Sequence, residues 1–332
     1  MTSYAIRRIL LIIPVVWGAL TLLFVLFFVV PGDPVELIAG AGGSRAVAPA
    51  VRANIEAKYG LDKPILEQYV TYIANTAQGD LGNSYATSRT VNDILRDTLK
   101  ASARLAIWGI IIEVVVGIAA GLISAVRQYS LIDKLTTVGT AVPVFVLGYL
   151  FQNQFGIFPN QHGWPQWARL PVQGIGPDSW AFFFIPTGAQ WRYLVLPAVV
   201  LASVSTALVA RMTRATMLEV NRADYMRTAR AKGLRESEVV LRHGLRNAMI
   251  PVVTLIGLDL ASLIGSAILT ETVFNWPGMG STIATAIGRR DAPVVLGLTL
   301  VLVVLYVVIN LLVDLSYAFF DPRVRYGKEA AR

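Results

Sequence analysis

Apolar runs of membrane-spanning length limit what this chain can fold into. A helix that crosses the hydrocarbon core of a bilayer needs about 20 apolar residues at 1.5 Å each, and the sequence offers about six such runs. They are residues 9–30, 103–126, 135–155, 194–210, 249–269 and 294–317. The run at 135–155 has the weakest pattern, because Pro143 interrupts it. The chain is therefore predicted to be an all-α integral membrane protein with about six transmembrane helices.

Composition excludes most enzymatic and soluble classes. The chain of 332 residues is 55% hydrophobic and 15% charged, which is too apolar for an ordinary soluble surface. It has no cysteine, which excludes disulfides and thiolate chemistry, and its histidines, His162 and His243, are predicted on opposite sides of the bilayer. Nothing matches the phosphate-binding pattern G-x-x-x-x-G-K-[ST] or the serine-hydrolase pattern G-x-S-x-G. We expect no catalytic residue, metal or cofactor in this chain.

The positive charges predict its orientation. Arginine and lysine concentrate near the N-terminus, after the second run, between the fourth and fifth runs, and in the tail. If the helices alternate, these clusters share one side, which the positive-inside rule assigns to the cytoplasm. The net charge of +8 is then explained by topology rather than by nucleic-acid binding. Both termini are predicted to be cytoplasmic. The predicted division is 1–30 (first helix), 31–102 (extracytoplasmic segment), 103–318 (membrane core with a cytoplasmic loop at 215–248) and 319–332 (cytoplasmic tail).

Two features outside the spans carry further expectations. The stretch "KPILEQYVTYIANTA" has helical periodicity, which places Ile65, Tyr69, Tyr72 and Ile73 on one face. This outer segment either caps the mouth of the membrane domain or provides a docking surface for an outer partner. The aromatic run "WAFFFIP" at 180–186 is too short to cross and is expected at a membrane interface.

The cytoplasmic loop contains a basic segment with the pattern of a helical hairpin. Good helix formers from Asn221 to Lys232 precede Gly233, and a second helix is predicted from Glu236 to about Arg246. Glycine at the break suits a left-handed turn. The loop could be a solvated topology signal, a helix on anionic lipid, or a docking element. A structured connection this long favours a cytoplasmic partner.

Several segments also resemble one family. "DYMRTARAKGLRESEVVLRHGLRNAMIPVV" resembles the EAA-type coupling loop of binding-protein-dependent ABC importer permeases, specifically the oligopeptide/dipeptide permease family. "YGLDKPILEQYVTYIANTAQGDLGNSY", "ILTETVFNWPGMGSTIATAIGRRDAPVVLG" and "NLLVDLSYAFFDPRVRYG" resemble its outer segment, its fifth-to-sixth helix connection and its C-terminal exit. The resemblance covers nearly the whole chain.

The resemblance implies a function and a set of partners. The chain would be the first permease subunit of a pair in a bacterial inner membrane and would form half of a pathway for di- or oligopeptides. A second homologous permease, one or two ABC ATPase subunits that bind ATP and Mg, and an extracytoplasmic solute-binding protein would complete the transporter. The predicted ATPase-coupling residues are Tyr225, Arg227, Ala229, Lys232, Gly233 and Leu234. Arg227 and Thr228 stand where the family has its name-giving glutamate and first alanine, so individual side-chain roles are less well supported than the docking itself.

Other classes remain open at this point. An ion-coupled secondary transporter would need no ATPase, and a membrane scaffold would move no solute. The substrate also stays open among dipeptides, longer peptides, nickel complexes and glutathione.

The spans contain candidate pathway residues. Charged side chains within a span are costly and usually face a cavity or a partner, so Glu113 and Asp259 are expected either to line the pathway or to pair with a neighbouring helix. Gly109, Gly117 and Gly121 recur at helical spacing and predict close helix packing.

The turn after the fifth span is the last candidate site. Trp276, Pro277 and Gly278 are expected to form an interfacial turn anchored by the tryptophan, and the family resemblance adds an outer gate.

Overall fold

In the computed structural model the chain is helical through most of the residues described. The structure describes residues 2–29, 62–87, 89–127, 142–177 and 179–320, with shorter stretches at 35, 49–50, 52–53, 56, 130–131 and 133–134. Most of the predicted tail, and most of the outer segment before Asp62, lie outside the described residues.

The helices are α1 (Thr2–Phe24), α2 (Ile65–Ala77), α3 (Val91–Val126), α4 (Val144–Gln152), α5 (Phe158–Gln161), α6 (Gln190–Val220), α7 (Asp224–Ala231), α8 (Glu236–Glu238), α9 (Arg246–Val273), α10 (Met279–Gly288) and α11 (Ala292–Phe320). π-Helical turns extend α1 (Val25–Val29), join α4 to α5 (Asn153–Ile157) and join α8 to α9 (Val239–Leu245). A 3₁₀ turn, Gln166–Ala168, and two antiparallel strands, β1 (Trp180–Ala181) and β2 (Ile185–Pro186), lie between α5 and α6.

Sufficient length and apolar character are confirmed for five of the predicted runs. Among the described residues, five helical segments are long and apolar enough to cross a bilayer: Leu10–Phe27, Val91–Val126, Gln190–Val220, Glu236–Leu260 and Ala292–Val313.

The third predicted run, 135–155, is interrupted at Pro143 as expected, and its residues 135–141 lie outside the described residues. Val142 and Pro143 are not helical, and the helix starts at Val144. Pro143 has an extended ψ of 139° and precedes the first turn, where a missing N–H costs no intrahelical bond.

The first of two compact units contains the first 100 residues and residues 278–311. Its largest core joins the start of α3 to α10 and α11, through Val91, Met279 and Leu298 among others. A second cluster packs Leu20 and Leu23 of α1 against α11. The last part of the outer segment therefore belongs to this unit, because it leads into the buried first turn of α3.

A buried carboxylate holds the turn before α3. Asp291, which is 3% exposed, accepts a hydrogen bond of 2.5 Å from the Ser84 hydroxyl and one of 3.0 Å from the Tyr85 backbone N–H. It also accepts a longer bond, 3.3 Å, from the Ala86 N–H. A charged acceptor with several donors is well solvated by the protein, which offsets the cost of its burial.

The second unit contains residues 101–277 and 312–321, and its helices include α6, α9 and most of α3. A Cβ added at Gly117 would lie 2.8 Å from Val209 Cγ1, and one at Gly121 would lie 2.5 Å from the Ala210 carbonyl oxygen. These distances confirm that the glycine face of α3 packs closely against α6, as the spacing predicts.

Side-chain hydrogen bonds fasten the connection between α5 and α6. Gln152 Nε2 donates to the Val172 and Val273 carbonyl oxygens, at 2.8 Å each. The predicted interfacial run 180–186 forms the β1–β2 hairpin, and Trp108 Nε1 of α3 donates to the Phe184 carbonyl oxygen at 2.8 Å. The hairpin is therefore attached to the start of the span in α3.

Candidate functional site

The basic hairpin, defined here as residues 221–245, differs from its predicted shape at both ends. Its first helix is α7 and begins at Asp224, because Asn221 caps α6 by donating its N–H to the Met217 carbonyl at 2.9 Å. The second predicted helix, 236–246, does not end near Arg246. It runs from α8 through a π-helical turn into α9, so the hairpin continues directly into the fifth span. Entry into the membrane does not by itself end a helix. The backbone from Val239 to Arg246 is helical and contains no left-handed residue that would end it.

Gly233 forms the bend of the hairpin by its backbone conformation. Its φ is +77°, in the left-handed region, and its N–H donates to the Arg230 carbonyl at 3.0 Å. A Cβ added there would meet no heavy atom within 4 Å. Glycine is thus required by the backbone angle and not by lack of space, since side-chain-bearing residues pay about 1 to 2 kcal/mol in this region.

The two limbs of the hairpin share a small apolar interior. Met226 and Val239 are fully buried, and Ala229 is 7% exposed, with Leu234 packed beside them. Ala229 is one of the predicted ATPase-coupling residues. The structure instead places its side chain inside the hairpin, where α7 lies against the second limb, so Ala229 and Leu234 maintain the shape of the hairpin.

The outer surface carries the other predicted coupling residues. Tyr225 is 43% exposed, and Arg227, Lys232 and Gly233 are also exposed. Arg227 has only a loose ion pair, 3.9 Å from the Asp224 carboxylate, and both side chains are largely in solvent. Four of the six predicted residues are therefore exposed on the surface of the hairpin.

An ion pair closes the bend. The Arg230 guanidinium donates to both carboxylate oxygens of Glu236, at 2.8 Å and 3.0 Å, across Gly233. This hydrogen bond lowers the pKa of Glu236 below its ordinary value and raises the pKa of Arg230. The pair is exposed, so it orders the bend more than it stabilises the fold.

The predicted pathway carboxylates lie in different environments. Glu113 stands four residues from both Gly109 and Gly117, on the α3 face that packs against α6. It is fully buried, and neither carboxylate oxygen has a hydrogen-bond partner among the described residues. Asp259 of α9 is half-buried and accepts a bond of 2.5 Å from Ser262 Oγ. Glu113 thus lies between packed helices, whereas Asp259 is partly accessible.

The turn after α9 differs from its prediction. Trp276 is fully buried, and its indole N–H donates to the Ala101 carbonyl at 2.9 Å. The expectation that this tryptophan anchors the turn at a membrane interface is therefore wrong. Trp276 is a core residue whose polar N–H is hydrogen-bonded to a backbone carbonyl. Pro277 is exposed and Gly278 is buried.

Sequence reasoning missed two buried carboxylates. Glu271 is fully buried and accepts a hydrogen bond of 2.5 Å from Ser102 Oγ. It follows an apolar run in α9, so a count of charges within spans would have found it. Asp291 gives no such local signal, because its partners Ser84 and Tyr85 lie about two hundred residues earlier in the chain.

These features together describe a multi-pass helical membrane protein whose exposed basic hairpin is an extension of a membrane-spanning helix. The sequence then identifies the family, within this class, to which the chain belongs. Residues 113–326 match the family described as binding-protein-dependent transport system inner membrane component, and residues 1–106 match the N-terminal region of the same kind of component. The chain belongs to this family, which supplies the membrane subunit of transport systems and not an enzyme.

Characterised relatives align over their whole length. The dipeptide transport system permease protein DppB of Alkalihalophilus pseudofirmus is 39% identical over 98% of this chain and 100% of its own. The di/tripeptide transport system permease protein DppB of Pseudomonas aeruginosa is 39% identical over 99% and 100%. The glutathione transport system permease protein GsiC of Escherichia coli is 39% identical over 98% and 100%.

Proposed function

We propose that this chain is one permease subunit of an ATP-driven importer of dipeptides or oligopeptides in a bacterial inner membrane. The relatives support the substrate class, because their names refer to dipeptides, to di- and tripeptides, and to glutathione, which is itself a small peptide. The chain forms half of the pathway, and a second, homologous permease completes it.

The proposed transporter needs partners on both sides of the membrane. One or two ABC ATPase subunits bind ATP and Mg in the cytoplasm, and a solute-binding protein delivers peptide from outside. Both termini and the basic hairpin are cytoplasmic in this arrangement, as the distribution of arginine and lysine favours.

The continuity of the second hairpin limb with α9 carries the proposal. From Glu236 to Asp259 the chain is helical without interruption, a length of about 35 Å at 1.5 Å per residue. A movement of the hairpin is therefore passed along one continuous helical segment to the region of the predicted pathway. A topology signal alone would not require this construction.

The exposed surface of the hairpin is the proposed ATPase contact. Tyr225, Arg227, Lys232 and Gly233 present an aromatic ring, two positive charges and bare backbone to a partner. A groove with acidic residues would complement them. Ala229 and Leu234 contribute indirectly, by holding α7 against the second limb.

Asp259 is the proposed pathway carboxylate, and Glu113, which is fully buried, is a second candidate. Asp259 Oδ2 is buried without a hydrogen-bond partner among the described residues, and Ser262 beside it is exposed, so Asp259 has an unused acceptor for transient contact with the ammonium group of a peptide. The carboxylate of Glu113 also lacks a hydrogen-bond partner among the described residues. At the far end of α9, we assign the turn Trp276, Pro277 and Gly278 to the outer gate, with buried Trp276 fixing its position and exposed Pro277 available for contact.

A pair of glycine substitutions tests the coupling assignment. Gly233→Glu places a bulky charge at the bend, and Gly163→Glu is the matched control: Gly163 has a φ of +66°, is exposed, and would also meet no atom with an added Cβ. Both variants pay the same kind of backbone penalty, so they should unfold at similar temperatures. We expect only Gly233→Glu to lose ATPase co-purification and peptide uptake in membranes that contain the native partner subunits.

The outcomes separate the alternatives. Unchanged uptake in Gly233→Glu would exclude the hairpin from coupling. Equal loss in both variants would assign the effect to backbone strain. Uptake that survives ATP depletion and collapses with an ion gradient would instead identify an ion-coupled transporter.

A further inference from the structure

Helix α2 packs against the first membrane span although it belongs to the outer segment. The Tyr69 hydroxyl and Thr21 Oγ1 of α1 lie 2.6 Å apart and share a hydrogen bond. The Phe24 ring packs edge-on against Tyr69, with centroids 5.2 Å apart, and lies 5.8 Å from the ring of Tyr72. One face of α2 is therefore fixed to α1 by a hydrogen bond and an aromatic cluster.

The contact lies inside the apolar span, not beyond its end. The apolar part of this span runs from Leu10 to Phe27. Thr21 stands about 9 Å before its C-terminal end and Phe24 about 4.5 Å before it, at 1.5 Å per residue. A helix whose tyrosines reach those positions lies at the level of the hydrocarbon boundary or just within it.

The exposed surface of α2 is divided into an apolar and a polar sector. Leu66 is 72% exposed and Val70 is 59% exposed, and both lie next to the face that meets α1. The polar sector, with Glu67, Thr71 and Asn75, is turned away from that face and is also exposed.

The same apolar exposure continues on α1. At the depth of the contact Leu22 is 61% exposed and Leu26 is 45% exposed. An apolar strip adjoining a lipid-facing span at this depth is most simply covered by acyl chains.

We propose that α2 is an interfacial helix that lies in the leaflet at the C-terminal end of α1, with Leu66 and Val70 in contact with acyl chains. Its 13 residues are too few to cross a bilayer but enough for a helix in the plane of the interface. The pair formed by Lys63 Nζ and Glu67 Oε1, at 2.6 Å, then lies at headgroup level, where charged groups on flexible stems remain in water.

The absence of cysteine from the chain makes the test direct. Val70→Cys and Thr71→Cys, each introduced into the full-length chain, give one thiol apiece for a nitroxide spin label. The two sites are adjacent in sequence but about 100° apart around the helix. They therefore lie at nearly the same position along the axis of α2, one in the apolar sector and the other in the polar sector. The labelled chains are placed in nanodiscs of phosphatidylcholine and phosphatidylglycerol. Collision rates with oxygen, which concentrates in lipid, and with a water-soluble nickel chelate are then measured.

The expected result is a ratio of oxygen to nickel collisions several-fold higher at position 70 than at position 71. Equal ratios, or higher nickel access at position 70, would place the helix in water and overturn the proposal. Protection of position 70 from both reagents would show that protein and not lipid covers this face, which would also overturn it. Thermal unfolding of both labelled variants, compared with the unmodified chain, verifies that each remains folded.

Discussion

The close contact of α3 with α6 gives a quantitative prediction for Gly121→Ala. The added Cβ would lie 2.5 Å from both the Ala210 carbonyl oxygen and Thr213 Cβ, and 3.1 Å from Ala210 Cα. Two of these three atoms belong to the backbone, so the strain cannot be relieved by a side-chain rotation. Overpacking of this kind costs about 1 to 3 kcal/mol. The helix-propensity gain of alanine over glycine, about 1 kcal/mol in water-exposed helices, offsets only part of it.

Gly265→Ala is the matched control within another span. An added Cβ at this position of α9 would meet no heavy atom within 4 Å. This substitution should leave the free energy of unfolding unchanged or raise it by up to about 1 kcal/mol. The two variants should therefore differ by about 1 to 3 kcal/mol, which corresponds to a melting-temperature difference of a few degrees.

Intrinsic tryptophan fluorescence during a thermal scan measures this difference. The chain has seven tryptophans and no cysteine, so thiol-reactive dyes do not apply. Scan rate and detergent are held constant, because unfolding of such proteins is commonly irreversible. If Gly121→Ala unfolds at the same temperature as Gly265→Ala, the α3–α6 contact is not as close as the structure shows.

Three further perturbations follow from individual side chains. Because its folded-state pKa is lowered, Glu236 stabilises the bend above its ordinary pKa of 4.5 and loses this effect as the pH falls below that value. Amide hydrogen exchange around the bend of the native chain should therefore become faster below this pH. A Glu236→Gln variant that shows the same increase would contradict this. Asp291→Ala removes the acceptor of the Ser84 hydroxyl and should lower the free energy of unfolding by about 2 to 3 kcal/mol. The loss should be seen as faster proteolysis near Ser84. Resistance to proteolysis equal to that of the native chain would show that the hydrogen bond between Ser84 and Asp291 does not hold this turn. Glu113→Met replaces a buried carboxylate that lacks hydrogen-bond partners among the described residues. The variant should therefore unfold at the same temperature as the native chain or at a higher one. A marked loss of stability would indicate that the carboxylate has a structural partner.

Much of the architecture could be predicted from the sequence, because the bilayer imposes a length and an apolar character on each spanning helix. Five spans and the left-handed bend at Gly233 follow from such local rules. The close packing at Gly117 also follows, since small residues at helical spacing have few other uses within a span.

Tertiary contacts account for what could not be predicted. The sequence around Trp276 looks like an interfacial turn, and only the position of the Ala101 carbonyl shows that the tryptophan is part of the core. Ala229 likewise occupies a helix face that could meet either a partner or its own chain. Its burial depends on Val239, which the second limb brings opposite it. Which face of a short helix becomes buried is decided by contacts that spacing alone does not encode.

The breaks in the basic hairpin are distributed asymmetrically, and this bears on how it would transmit force. Helix α7 is separated from α6 by a non-helical turn at residues 221–223 and from α8 by the bend at Gly233. No such break separates α8 from α9. A partner that moves α7 acts on α6 through this turn and also through Val220 of α6, which packs against the same apolar interior. It acts on α9 through the packing of Met226 and Ala229 against Val239 and then along an uninterrupted helix. In the proposed coupling, α9 is the span that joins the hairpin without a helix break, and it carries Asp259 and leads to the proposed outer gate.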